Sequence, residues 1–179
     1  PHVPQLSYLL YRYGHAPSAQ AREVLETTLD AMAQRGLHDH VEGGFFRYTV
    51  DPGWSVPHFE KMLYDNAQLA QLYLKAGRVL GRADYSAVGF DTLDFMLTAM
   101  QGGNGAMVAS LSAIDAQGRE GAYYLFDDDT LAEALNPDEE RTLRAVWFLP
   151  EAAVFDFGHL LGNQAPPELA AVQLSSAPD

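Results

Sequence analysis

His58, Glu60, Lys61, Tyr64 and Asp65 crowd one short stretch of the chain, directly after Trp54 and Pro57. An imidazole exchanges protons near neutral pH, so His58 is a candidate general acid or base, with Glu60 or Asp65 to orient or polarise it. Apolar residues at Phe59, Met62, Leu63, Leu69, Ala70, Tyr73 and Ala76 predict a helix over His58–Leu80, with Pro57 at its start. On that helix His58 and Asp65 share a face, Glu60 and Tyr64 pair at four apart, and Lys61 can pair with Asp65. The helix N-terminus would favour an anionic or hydroxyl-rich ligand. A plainer reading stands beside this one: Glu60, Lys61 and Asp65 form a solvated face, and His58 is a hydrogen-bonding residue that holds the preceding loop.

His38, Asp39, His40 and Glu42 gather imidazole and carboxylate donors in a second short stretch. Alternating donors in a loop rarely converge on one ion, so neither a metal nor any other cofactor is expected. Gly102-Gly103-Asn104-Gly105 follows no strand and reads as a turn rather than a phosphate loop.

The elements that must position these groups are mostly helical. Gln5–Tyr13 and Ser18–Arg35 form a first hairpin, turned at Gly14 and Pro17, with Gly36 expected to end the second helix. A loop from Leu37 to Pro57, too aromatic for a disordered segment, leads into the helix from His58, and Gly81 turns the chain into a helix over Tyr85–Met100. Thr28-Leu29-Asp30-Ala31-Met32 echoes Thr92-Leu93-Asp94-Phe95-Met96, a sign of repeated hairpins. Met107–Leu111 and Gly121–Phe126 read as a small β-hairpin; Asp127 caps a helix over Thr130–Leu135, and Pro137 opens another reaching Val146. Residues 175–179 are expected to be a frayed end.

Bulk properties exclude several functions. The 179 residues are 47% hydrophobic, enough for one domain, and carry a formal charge of −13 with no basic stripe, which argues against nucleic acid. The absence of cysteine removes disulfides and thiol chemistry. No apolar run suits a membrane span or an export signal, and a cytoplasmic location is expected.

Taken together, Gly43-Gly44-Phe45-Phe46-Arg47-Tyr48, Asp51, Trp54 and the run from Val56 to Leu69 closely resemble the YyaL-type, spermatogenesis-associated thioredoxin-domain family. The likeness continues more loosely through Asp115, Gly118, Glu120, Gly121 and Tyr124. It implies a mainly α fold, residues 1–174 forming part of an (α/α) toroid of helical hairpins with a small β-hairpin insertion. Such toroids are similar to those of N-acylglucosamine 2-epimerases and six-hairpin glycosidases. The family's thioredoxin-like domain is absent from the sequence, which holds roughly half the hairpins of a ring. The sequence is therefore expected to be a piece of a longer protein, or a half-ring completed by a second copy of the chain or a partner chain.

The resemblance also implies a carbohydrate-like small ligand at the mouth of the ring. His58, Glu60 and Asp65 become the candidate catalytic residues, and Arg47, Trp54, Tyr64 and Asp115 the ligand-binding ones. Two departures weaken the enzymatic reading: the family usually has His where this chain has Phe46, and an acidic pair where it has Ser112 and Ala113. Asp115 alone cannot supply the paired carboxylates of a glycosidase. The alternative is a non-catalytic binding or scaffold module, acting beside a separate thioredoxin-like protein.

Overall fold

The structure is a computed structural model and describes residues 2–147, 149, 153 and 155–162. Helix α1 (Val3–His15) has Pro4 in its first turn, where a missing N–H costs nothing. Helix α2 (Ala19–Gln34) is capped by the Ser18 hydroxyl, which accepts from the Ala21 N–H at 3.2 Å. The two form the first expected hairpin. Helices α3 (Leu63–Leu80) and α4 (Ala83–Ala99) form the second, turned at Gly81, whose φ of 72° is the left-handed C-cap that glycine favours. Helix α1 packs on both α2 and α3, and α3 packs along α4.

The core between the hairpins holds Leu10, Leu25, Leu29, Met32, Leu69, Leu72, Tyr73 and Tyr85. Polar groups at this seam are paired. The Tyr73 hydroxyl donates to the Leu29 carbonyl at 2.7 Å, and Tyr85 and Arg82 both donate to the Asp30 carboxylate at 2.8 Å. Gly36 is not a left-handed cap: its N–H donates to the Trp54 carbonyl at 2.8 Å, and a Cβ there would lie 2.4 Å from the Ser55 carbonyl oxygen. It is small so that the 54–55 backbone can lie against the end of α2.

The echo between α2 and α4 is out of register. Leu25, Leu29 and Met32 are buried in α2, whereas Tyr85, Gly89, Thr92 and Phe95 are buried in α4. Leu29 thus corresponds to Thr92 rather than to Leu93, and the shared pentapeptide reflects common helix residues.

Three two-stranded antiparallel sheets complete the described fold. Strand β1 (Tyr48–Thr49) pairs with β2 (Pro57–His58), β3 (Lys61–Met62) with β4 (Ser110–Leu111), and β5 (Leu125–Phe126) with β6 (His159–Leu160). The expected hairpin between 107–111 and 121–126 does not form as a pair of strands, because each half finds a partner elsewhere. A tight turn over 114–120 remains, closed by an Ile114–Glu120 bridge. Asp127 caps α5 (Asp128–Ala134) through Thr130 N–H at 2.8 Å, and Pro137 opens α6 (Pro137–Trp147). No helix among the described residues is long and apolar enough to cross a membrane. The end expected to fray at 175–179 lies outside the described residues.

Candidate functional site

The helix predicted from His58 begins five residues later, at Leu63. Residues 57–62 are extended, and their burial alternates: Pro57, Phe59 and Lys61 point inward while His58, Glu60 and Met62 are partly exposed. Cross-strand bonds hold this geometry, with Arg47 N–H donating to the Glu60 carbonyl at 2.8 Å and Leu63 N–H to the Ala109 carbonyl at 2.9 Å. The period is therefore two rather than 3.6, which separates His58 from Asp65 and Lys61 from Asp65, and places His58 beside Glu60.

The outward side chains form a connected group. The His58 ring stacks on Tyr48 with centroids 5.0 Å apart. Its Nδ1 lies 3.1 Å from Glu120 Oε1 and its Nε2 3.9 Å from Glu60 Oε2. Because a carboxylate only accepts, Glu120 fixes the proton on Nδ1 and turns Nε2 toward Glu60. Glu60 is itself bound by Arg47 at 2.7 Å. Tyr64 is exposed and lies close enough to Arg47 to interact with it. Burial pushes the Asp65 carboxyl above its ordinary range, with Arg47 acting in the opposite direction.

Asp115 serves its own turn. Its carboxylate accepts from the N–H groups of Gln117 and Arg119, both at 2.9 Å, and from Arg119 Nε at 2.8 Å. This locks the loop that carries Glu120 to His58, so Asp115 supports the group without joining it.

Trp54 sits at φ 62°, a left-handed conformation that a bulky residue adopts only when its surroundings impose it. The Asp51 carboxylate does so by accepting from the N–H groups of Ser55 and Val56, at 2.9 and 2.6 Å. The indole is thereby placed in the wall of a cleft of about 410 Å³, together with Gln5, Leu6, Thr28, Tyr48 and Thr49. Tyr48 is shared: it lines this cleft and carries the His58 ring.

Beneath this face lies a set of buried residues that helical spacing does not reveal. Lys61 is 0% exposed, and its ammonium donates to Asp39 Oδ2 at 2.7 Å and to the Gly43 carbonyl at 2.8 Å, with Glu42 at 3.6 Å. The rings of Phe95, Tyr124 and Phe46 surround it at 4.2, 4.9 and 5.1 Å. Burial lowers the Lys61 pKa, and Asp39 opposes the shift. Asn66, also buried, accepts from Phe45 N–H at 2.7 Å and donates to the Phe45 and Met62 carbonyls at 3.0 and 2.9 Å. Together Lys61 and Asn66 tie the 39–45 loop to the start of α3. That loop runs through Gly43 and Gly44, both at positive φ, and a Cβ on Gly44 would meet the Phe95 ring at 2.3 Å.

The donors at 38–42 therefore face different tasks. Asp39 also accepts from Val41 and Glu42 N–H, His38 is buried against Phe45, and no group of three metal-ligating side chains occurs among the described residues.

No protein-family model matches the chain. Over 125 residues, two thirds of its length, it is 38% identical to human spermatogenesis-associated protein 20 and 35% identical to the mouse protein of that name. An uncharacterized Caenorhabditis elegans protein is 54% identical over 50 residues, 28% of this chain. The chain spans only 16% of the length of its mammalian relatives. It is thus related by sequence to spermatogenesis-associated protein 20, consistent with the resemblance carried by the 43–69 segment.

Proposed function

We propose that this chain forms part of an (α/α) toroid that holds a carbohydrate-like small molecule in the cleft beside Trp54, with His58 as the proton-transferring group. One observation carries the reading: an indole and a phenol ring share a cleft with the polar side chains of His2, Gln5, Thr28 and Thr49, and the same phenol ring, that of Tyr48, stacks on the His58 imidazole, which is set between two carboxylates. Aromatic faces suit the C–H faces of a sugar ring, and a few placed polar groups fix its hydroxyls. Glu120 sets the tautomer of His58, Glu60 faces its second nitrogen, and Arg47, Tyr64 and Asp65 edge the site beyond Glu60. Asp115 acts through the turn that presents Glu120. In this account the two hairpins are consecutive members of a ring completed by further chain, a second copy or a partner.

A second reading, binding without turnover, has a specific observation in its favour. Glu60 is engaged by Arg47, Asp65 stands apart from His58, and Asp115 is consumed by its own turn, so these three supply no free pair of carboxylates among the described residues. Two substitutions separate the readings. Trp54→Ala is expected to weaken binding of a small saccharide at least tenfold by calorimetry under either. His58→Ala is expected to abolish saccharide turnover with little change in melting temperature if the residue transfers protons. If His58→Ala leaves turnover intact, or chiefly lowers the melting temperature, the residue has a structural role and the binding-only reading stands.

A further inference from the structure

A second cavity, of about 260 Å³, opens beside the 39–45 loop, lined by Asp39, Val41, Glu42, Tyr123, Tyr124 and Phe126. It owes nothing to the cleft beside Trp54: no residue lines both. Its walls combine three aromatic rings with two carboxylates, and it contains no basic side chain. We propose that this cavity is a binding site for a small organic ammonium ion, with Tyr123 and Phe126 offering ring faces and Glu42 the counter-charge.

The protein's own chemistry nearby supports this choice of ligand. At the adjoining position an ammonium, that of Lys61, is already accommodated by Asp39, Glu42 and the rings of Tyr124, Phe95 and Phe46. Two carboxylates face that one cation, so a single negative charge is left over. It resides on Glu42, which is partly exposed, stands 3.6 Å from Lys61 and accepts from the Tyr123 hydroxyl at 3.0 Å. The negative field is felt by both tyrosines: the Tyr123 phenol is raised chiefly by its hydrogen bond to Glu42, and the Tyr124 phenol by burial with Glu42 and Asp39 adding to it. Tyr123 is 67% exposed, and its hydroxyl bond to Glu42 holds its ring beside that carboxylate at the cavity. An anion would be repelled by Glu42 and Asp39, and a neutral ligand would gain at most a hydrogen bond from either, without the charge attraction. The chain's formal charge of −13 adds a general attraction for cations.

Calorimetric titration with choline, against its neutral isostere 3,3-dimethyl-1-butanol at matched ionic strength, tests the proposal. Choline should bind saturably and about tenfold or more tightly than the alcohol. Glu42→Gln and Tyr123→Leu, each checked for an unchanged melting transition, should each weaken choline about tenfold, while Trp54→Ala should not. Equal affinity for choline and the alcohol, no saturable choline binding, or choline binding indifferent to both substitutions would overturn it. Because saccharide binding is read at Trp54 and ammonium binding at Glu42 and Tyr123, either reading can fail without the other.

Discussion

Lys61→Ala is expected to destabilise the fold by about 3–5 kcal/mol, the range for removing one partner of a buried ion pair. The Lys61 side chain is fully buried and Asp39 nearly so, and the substitution leaves the Asp39 carboxylate with only the N–H groups of Val41 and Glu42. Three aromatic rings lose the cation they surround, and the Gly43 carbonyl loses its donor. Ordinary domains are stable by about 5–15 kcal/mol, so the loss would be a large fraction of the total. Lys61→Met keeps most of the volume and isolates the charge. It should remain strongly destabilising alone, and Asp39→Asn added to it should recover part of the loss, since the unpaired charge is the main penalty. Chemical denaturation of the two single variants and the double variant measures this. A Lys61→Met protein within about 1 kcal/mol of the parent, Asp39 intact, would show that the pair does not anchor the loop.

Acidification below about pH 6.5 is expected to weaken the fold, and His38 is the reason. Both ring nitrogens are buried and have no hydrogen-bond partner among the described residues. Burial, then the neighbouring His40, lowers the pKa of His38 from 6.5 to about 3. The folded ring thus stays neutral while the unfolded one takes up a proton below 6.5, so stability is fully present above 6.5 and falls as pH drops from there toward 3. The slope is about 1.4 kcal/mol per pH unit, or about 2 kcal/mol lost between pH 7 and pH 5. His40, also lowered chiefly by burial, acts in the same direction. Denaturation midpoints measured from pH 7 to pH 5 should show this slope, and His38→Phe, which keeps a ring against Phe45, should remove the His38 share. An identical pH dependence in the two proteins would mean that His38 is protonated in the folded state.

The helical hairpins were legible in the sequence because their apolar spacing, the Ser18 cap and the Gly81 turn all point the same way. The loop and the site were less so. Pro57-His58-Phe59-Glu60 alternates as a strand does, but Met62, Leu69 and Tyr73 continue the helical pattern of α3 back across it, and Pro57 suits a helix start as well as an edge strand. Lys61 hides the alternation further, because a charged residue occupies an inward position that the pattern reserves for an apolar one. Its partner Asp39 lies twenty-two residues earlier, and no local rule joins them. Glu120 was visible only as a residue of the resemblance, since its contact with His58 spans sixty-two positions. The expected β-hairpin failed for a related reason: of 107–111 and 121–126 only Ser110–Leu111 and Leu125–Phe126 are strands, residues 121–124 form a turn, and the choice of strand partner was tertiary. Arg47, Trp54, His58, Glu60 and Tyr64 nevertheless fall on or beside one connected face, whereas Asp115 supports it from behind.

Ligand binding in the cleft beside Trp54 can be followed directly, because the two tryptophans of the chain provide an internal control. Trp54 lines that cleft, whereas Trp147 closes α6 elsewhere. Titrating small saccharides while following both indole N–H resonances by NMR is the most direct measurement. A saturable shift of the Trp54 resonance, with Trp147 unmoved and Trp54→Ala abolishing binding, is the predicted result. Saccharide binding that moves neither Trp54 nor the Tyr48–His58 pair, or no saturable binding at all, would contradict it.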